Sequence, residues 1–345
     1  MRSPETQTLG HIACFDGLRA LAAILIVAFH AAVPALPGGF LAVDVFFVLS
    51  GFLITRMLVV EFARTGTCDY RAFVIRRLRR LWPALLFMLM VYLLVAPWIF
   101  SPTPWWQHWR DAVMSAVYLV NYASFWGGTA VLRHTWSLAV EMQFYLLWPL
   151  LLLLLLRLPR YTAITSMLSI YVGVSLWRCW SSANLSPWGF YPHVDAHSSG
   201  LILGSLLGYL NIRISSYWSL PAILLLVLCV TFFSTGWQLS AYYGFTLAEI
   251  GAGMLLLARP GWLGNAPLAW LGRMSYGLYL WHYPVMRLVQ GQGGWDWPEV
   301  LLLGVGLGLL FAVLSHYLLE RRFYKPSFHR RNDGPRFAVA PERRR

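Results

Sequence analysis

Apolar residues run along this chain in blocks of about twenty, separated by short polar stretches. Roughly 20 mostly apolar residues suffice for a helix that crosses a membrane. Such windows lie near 13–33, 40–60, 81–100, 111–127, 136–156, 161–180, 196–212, 219–234, 241–258, 272–290 and 298–319. The pattern predicts an all-α polytopic membrane protein, because only helices of this length satisfy their own backbone in lipid.

The charge pattern selects among these windows. If 111–127 does not cross, one set of alternate connections holds Arg64, Arg71, Arg76, Arg77, Arg79 and Arg80, then Arg157, Arg160, Arg213, Arg259 and the Arg-rich tail. The opposite connections near 34–39, 181–194, 235–240 and 291–297 hold no Lys or Arg, and only Arg110 and Arg133 fall on that side. Basic residues mark the cytoplasmic face. About ten transmembrane helices with both termini cytoplasmic are therefore expected, and 101–135 becomes a candidate re-entrant segment, tolerable only where protein buries it. Residues 1–327 read as one integral-membrane domain and 328–345 as a polar cytoplasmic tail. No cleavable signal peptide is expected, since the first apolar run lacks a clear basic leader and exceeds the usual length.

Composition agrees. Of 345 residues, 58% are apolar and 12% charged, with mean hydropathy +0.58. A soluble enzyme, a secreted disulfide scaffold and a disordered chain are excluded. The net charge of +13 does not point to nucleic acid: its basic residues, 26 Arg and Lys325, sit between apolar windows and in the tail, where they suit anionic lipid head groups. Cys14, Cys68, Cys179 and Cys229 are far apart and lack ligand spacing, so no disulfide and no metal site is expected.

Ionisable residues inside apolar windows are costly and usually face a cavity or one another. Arg19 and His30 stand eleven residues apart in the first window, hence on one helix face and about 16 Å apart along the axis. A snorkelling Arg and a core His are the plainer alternative. Asp44 lies near the outer end of the second window, and Ser50-Gly51 permits close helix approach. Arg76, Arg77, Arg79 and Arg80 crowd one helical turn. Such guanidiniums repel one another unless an anion such as phosphate neutralises them, although a stop-transfer cluster would look the same. Ser137, Glu141 and Tyr145 recur at i, i+4 and i+8 on one face. Glu141 needs a cationic or hydrogen-bonding neighbour, for which His30 is a candidate. His193, Asp195, His197, Glu249, Tyr276 and His282 complete the set, and such series also occur in proton-coupled transporters.

Six strings in order, from residue 15 to 323, carry a resemblance: FDGLRALAAILIVAFH, GGFLAVDVFFVLSGFLIT, RRLRRLWPALL, HTWSLAVEMQFYLLWP (with Trp136), LGRMSYGLYLWHYPV and SHYLLERRF. Together they resemble the integral-membrane acyltransferase-three family, which O-acylates glycans and related acceptors. The resemblance implies a ten-helix domain in the bacterial inner membrane, a cytoplasmic acyl-CoA donor site and an outward-facing acceptor site. No tightly bound cofactor is implied; acetyl-CoA or another acyl-CoA is the co-substrate. The family's Arg-x10-His motif matches Arg19 and His30, and its Arg-x-x-Arg motif matches either Arg76 with Arg79 or Arg77 with Arg80. Its SLxVE glutamate matches Glu141 and its second-motif aspartate Asp44. His193 stands where many members have Arg two residues before Asp195, so the chain departs from the family there.

The expected function is O-acyl transfer, most readily acetyl, from cytoplasmic acyl-CoA to a hydroxyl of an outward-facing glycan, glycolipid or glycosylated small molecule. In that reading His30 is the general base and Glu141 orients it. Arg19, Arg76, Arg77, Arg79 and Arg80 hold the donor, while Asp44, Trp136, Ser137, Tyr145, Asp195, Tyr276 and His282 support the site. The alternative class is a proton-coupled transporter or flippase using the same Asp, Glu and His residues.

Overall fold

A computed structural model describes residues 12–100, 103–122, 128, 131–235 and 238–323. The tail expected at 328–345 lies outside the described residues. In chain order the helices are α1 (Ala13–His30), α2 (Ala42–Thr65), α3 (Tyr70–Ile99), α4 (Trp105–Ala116), α5 (Trp136–Leu155), α6 (Arg160–Asn184), α7 (Pro187–Phe190) and α8 (Val194–His197). They continue with α9 (Ser199–Leu210), α10 (Ser219–Phe232), α11 (Phe245–Ala258), α12 (Ala266–Gln292), α13 (Trp297–Ser315) and α14 (Arg321–Phe323). No strand occurs among the described residues.

Helix covers each of the ten windows assigned to crossings. Among the described residues, length and apolarity qualify six stretches as spans: Ala13–His30, Gly39–Thr65, Tyr70–Ile99, Arg133–Leu155, Ser240–Ala258 and Trp297–Phe323. Ser199–Leu210 and Ser216–Phe232 are apolar but shorter. Helices α6 and α12 have the length, but Arg178, Arg273 and Arg287 interrupt their apolar runs. The bundle is that of a membrane protein, with six helices of span grade among the described residues. Its outer surface is that of a lipid-facing protein: Leu302 is 74% exposed, Phe232 76% and Trp98 85%.

Local chemistry sets the helix ends. The Asp69 side chain accepts the Ala72 N–H at the start of α3, and Asn265 accepts the Leu268 N–H at the start of α12. Gly66, at φ +73, terminates α2. Helix α1 packs against α2 and α12, α2 packs against α9, and α12 packs against α13. The α2–α9 contact is backbone-close: a Cβ at Gly51 would stand 1.9 Å from the Leu201 carbonyl oxygen, and one at Gly204 1.9 Å from that of Val48. The close approach expected beside Ser50 is thus used.

Helix α4 does not extend the chain outward. The Tyr92 hydroxyl meets the His108 ring, and the Trp82 indole donates to the Ala116 carbonyl at 2.8 Å. Those pairings run antiparallel, so α4 folds back along α3. His108, Asp111 and Ser115 face inward, while Trp105, Trp106 and Trp109 face outward.

Candidate active site

His30 ends α1 beside the middle of α12. The His282 Nδ1–H donates to the Leu278 carbonyl one turn earlier, at 2.9 Å. Its Nε2 is then a lone pair, and it accepts the Nδ1–H of His30 at 2.9 Å. This leaves the lone pair of His30 on Nε2, which has no hydrogen-bond partner among the described residues, and the residue as a whole is half-buried. Gln290 holds the same residue from behind by donating to its backbone carbonyl at 3.0 Å.

Proline explains a third ring. Pro284 has no N–H to give the carbonyl of Leu280, four residues earlier. His134 takes that carbonyl instead, donating from Nε2 at 3.2 Å across to α12. The Tyr279 hydroxyl donates to the His134 backbone carbonyl at 2.6 Å and lies 2.6 Å from the Ser137 hydroxyl. Tyr283 packs edge-on to His30 at 4.6 Å and against His134 at 4.8 Å between ring centres. His30, His134 and His282 thus form one aromatic layer, closed by α1, the start of α5 and α12.

Glu141 does not orient His30. It accepts hydrogen bonds from Ser50 and Tyr145, while His282 occupies the imidazole position assigned to the carboxylate. The cause lies in α5: Tyr145 is one turn from Glu141 on the same face, and α2 brings Ser50 within reach. Glu141 instead belongs with Arg19, which pairs with Asp16 at 3.0 Å and also lies within electrostatic reach of Arg80, Tyr145 and Glu141. Tyr276 lies in the same neighbourhood, donating to the Leu81 carbonyl at 2.7 Å. The motif residues therefore make two layers along α1, a histidine layer at its end and a mixed-charge layer around Arg19.

The arginines of α3 divide by face. Arg77 lies over the rings of Phe73 and Tyr145, at 5.4 and 5.7 Å, and Arg80 neighbours Arg19 and Tyr276. Arg76 is drawn away by Glu61 at 3.7 Å, and Arg76, Arg79 and Arg80 are all substantially exposed. Arg77 is partly buried under the rings, and electrostatic reach to Arg19 rather than burial sets Arg80 apart from Arg76 and Arg79.

Other expected residues lie elsewhere. Asp44, fully buried, meets His197 Nε2 at 3.1 Å, and Trp136 packs on the His197 ring at 4.9 Å between centres. Asp195 is exposed and accepts the Trp177 indole N–H at 2.9 Å, outside both layers. Glu249 pairs with Arg178 at 3.3 Å, a buried partner that the sequence reading passed over. Also passed over were His134 as a ring of the site, Tyr279 and Tyr283, although the proline in Trp281-His282-Tyr283-Pro284 signals a freed carbonyl.

Comparison with known proteins decides the family. The acyltransferase domain model matches residues 12–319, nearly the whole chain. The chain belongs to this family. Among curated relatives, the peptidoglycan O-acetyltransferase OatA of Listeria monocytogenes is 30% identical over 92% of this chain and 56% of its own length. The putative peptidoglycan O-acetyltransferase YrhL of Bacillus subtilis is 32% identical over 92% and 55%. The O-acetyltransferase OatA of Staphylococcus aureus is 34% identical over 91% and 57%. The chain spans little more than half the length of these relatives, and no solved structure matches it. Because the family match runs from α1 through α13, it takes in both layers.

Proposed function

We propose that this protein is a membrane O-acetyltransferase that moves acetyl from acetyl-CoA to a hydroxyl of a peptidoglycan-like glycan. The observation that carries the reading is the hydrogen-bond series from the Leu278 carbonyl through His282 to His30. That series puts the proton of His30 on Nδ1 and leaves the lone pair on Nε2, without a hydrogen-bond partner among the described residues. A neutral imidazole held this way is a general base.

The donor would enter from the end of α1 that bears Arg19. Its phosphates meet Arg77 and Arg80, and its thin arm runs past Arg19 toward His30. His30 Nε2 takes the proton of the acceptor hydroxyl as that oxygen attacks the thioester carbonyl. The tetrahedral intermediate collapses with loss of the CoA thiolate, which the imidazolium reprotonates. Ester and free thiol result, and His30 returns to its starting form. In this scheme Glu141, with Ser50 and Tyr145, compensates the arginines rather than the imidazole. Ten crossings with both termini cytoplasmic put donor and acceptor entrances on opposite faces, as the distribution of arginines supports. No specific observation favours the transporter alternative.

The purified protein should release CoA from labelled acetyl-CoA only when a muramyl-containing oligosaccharide is present, with label recovered in the sugar. Acceptor-independent hydrolysis, or no CoA chemistry at all, would remove the reading. Replacing Arg77 and Arg80 together with Gln should weaken acetyl-CoA binding more than replacing Arg76 and Arg79. The reverse ranking would reassign the donor-facing pair.

A further inference from the structure

Three arginines outside the two layers converge at the end of the bundle where α1 begins. Arg259 caps α11 at φ +46, a left-handed conformation that favours Gly or Asn. Its guanidinium stands over two aromatic rings, 5.4 Å from the centre of Phe15 and 5.9 Å from that of Phe52. Arg56 is one helical turn beyond Phe52 on α2. Arg213 follows α9, whose Gly208 abuts the Phe52 backbone, and the next residue, Ile214, donates its N–H to the Leu257 carbonyl at 3.4 Å. The ends of α9 and α11 and the interior of α2 thus bring three cations within electrostatic reach of one another, with Arg259 over the aromatic floor.

None of the three forms an ion pair among the described residues, and the Arg259 Nε is buried without a hydrogen-bond partner. Burial, with the like charges of Arg213 and Arg56, pushes the Arg259 guanidinium below its ordinary value. The carboxyl ends of α9 and α11 offer only partial negative charge in return. A topology signal needs none of this, because such charges are content in water.

We propose that Arg56, Arg213 and Arg259 form a binding site for a phosphoryl-bearing anion, distinct from Arg77 and Arg80. Guanidinium forks match phosphate oxygens two at a time, and the aromatic floor holds one fork in place. Two sources share this chemistry: the nucleotide phosphates of CoA and the head group of an anionic phospholipid. The first rests on the donor reading given above; the second does not.

Full-length protein in detergent, stripped of lipid, is titrated with adenosine 3′,5′-bisphosphate and, separately, with phosphatidylglycerol or phosphatidylcholine, reading the thermal shift. The triple variant R56Q/R213Q/R259Q should weaken one of the two anions by about tenfold or more. Phosphatidylcholine should act on it as on the wild type, and R56K/R213K/R259K should keep much of the affinity. Loss for the bisphosphate assigns the site to the nucleotide, and loss for phosphatidylglycerol assigns it to lipid. Wild-type response to both anions overturns the site. If the triple variant does not fold, Arg56→Gln alone is read, and unchanged binding of both anions overturns the proposal equally. Acetyl transfer is measured apart. Anion binding through these arginines without transfer removes the enzyme reading alone, while normal transfer with unchanged anion binding removes this site alone.

Discussion

The histidine layer and the Arg178–Glu249 pair are both buried polar groups in an apolar bundle, yet they end differently. Around Arg178 the bonds close on themselves. Its Nε donates to the Ala241 carbonyl at 3.0 Å and its Nη2 to Thr246 at 2.7 Å, while Nη1 serves Ser199 and Glu249. Glu249 also accepts from Tyr171 at 2.9 Å and from Ser199, and Phe245 covers the guanidinium at 5.3 Å. At His30 the series stops: Leu278, His282 and His30 are joined, and the last nitrogen is left over. A closed network locks three helices together, whereas an open one has an atom with which to react. Position inside a span does not separate the two, but the end of the hydrogen-bond series does.

The largest expected effect falls on the open network. His30→Ala should lower acetyl transfer by about 10²–10⁴-fold, the usual loss of a general base. Acetyl-CoA affinity should hold, because Arg19 lies about 16 Å down the same helix by rise and Arg80 of α3 neighbours Arg19, not His30. Stopped-flow CoA release under saturating donor checks both. Near-normal turnover would make His30 a core histidine and the two regions alike.

The closed network should fail as structure, not as chemistry. Arg178→Met leaves Glu249 charged and unpaired, which costs about 3–5 kcal/mol for a buried ion. The double variant Arg178→Met/Glu249→Leu should recover much of that loss, since neither charge remains. Thermal unfolding in detergent reads the ranking. A double variant less stable than the single one would mean the pair contributes more than mutual neutralisation.

How far these regions were legible beforehand follows from the same contrast. Helix positions were readable because apolar length is a local property: the windows at 13–33 and 40–60 need nothing but their own residues. The count of crossings was less so, since α6, α9 and α10 depend on neighbours for burial or length. Within the site, the face shared by Arg19 and His30 follows from helix period alone, and both stand in one stack of layers. The partner of His30 does not. Glu141 and His282 were equally available by residue type, and only the packing of α12 on α1 selects the imidazole. Arg178 was overlooked because Tyr171, Ser199, Thr246 and Glu249 come from three helices, and no local spacing relates them.

His282 tests whether the open network is organised or merely adjacent. His282→Ala removes one neutral hydrogen bond, worth about 1 kcal/mol, and frees the ring of His30 to turn. A loss of up to about tenfold in kcat is expected, with KM for the donor unchanged. His282→Gln, which can still accept at that position, should recover part of it. The double variant with His30→Ala should be no slower than His30→Ala alone, because the two act as a unit. Additive losses would give His282 a role of its own.

Asp44 should show the smallest effect, and it sharpens the comparison because its pair with His197 lies between the two extremes. One carboxylate oxygen is bonded to His197, and the other is buried without a partner. The His197 Nδ1–H donates to the Tyr191 carbonyl at 2.8 Å, and Trp136, Phe47 and Phe245 surround the ring. One end of the network is thus closed and the other open, but the open oxygen faces protein interior where no substrate arrives. With its Nδ1–H given to Tyr191, the neutral His197 ring accepts at Nε2, and Asp44→Asn supplies an amide N–H there, so stability should change by less than about 1 kcal/mol, one neutral hydrogen bond at most. Turnover per folded molecule should stay within about twofold, a barrier change below about 0.5 kcal/mol. Unfolding midpoints and kcat measured on one preparation decide it. If kcat falls by more than tenfold while the midpoint holds, an unfilled bond would mark reactivity even without access, and the half-buried position of His30 would no longer be the feature that sets it apart.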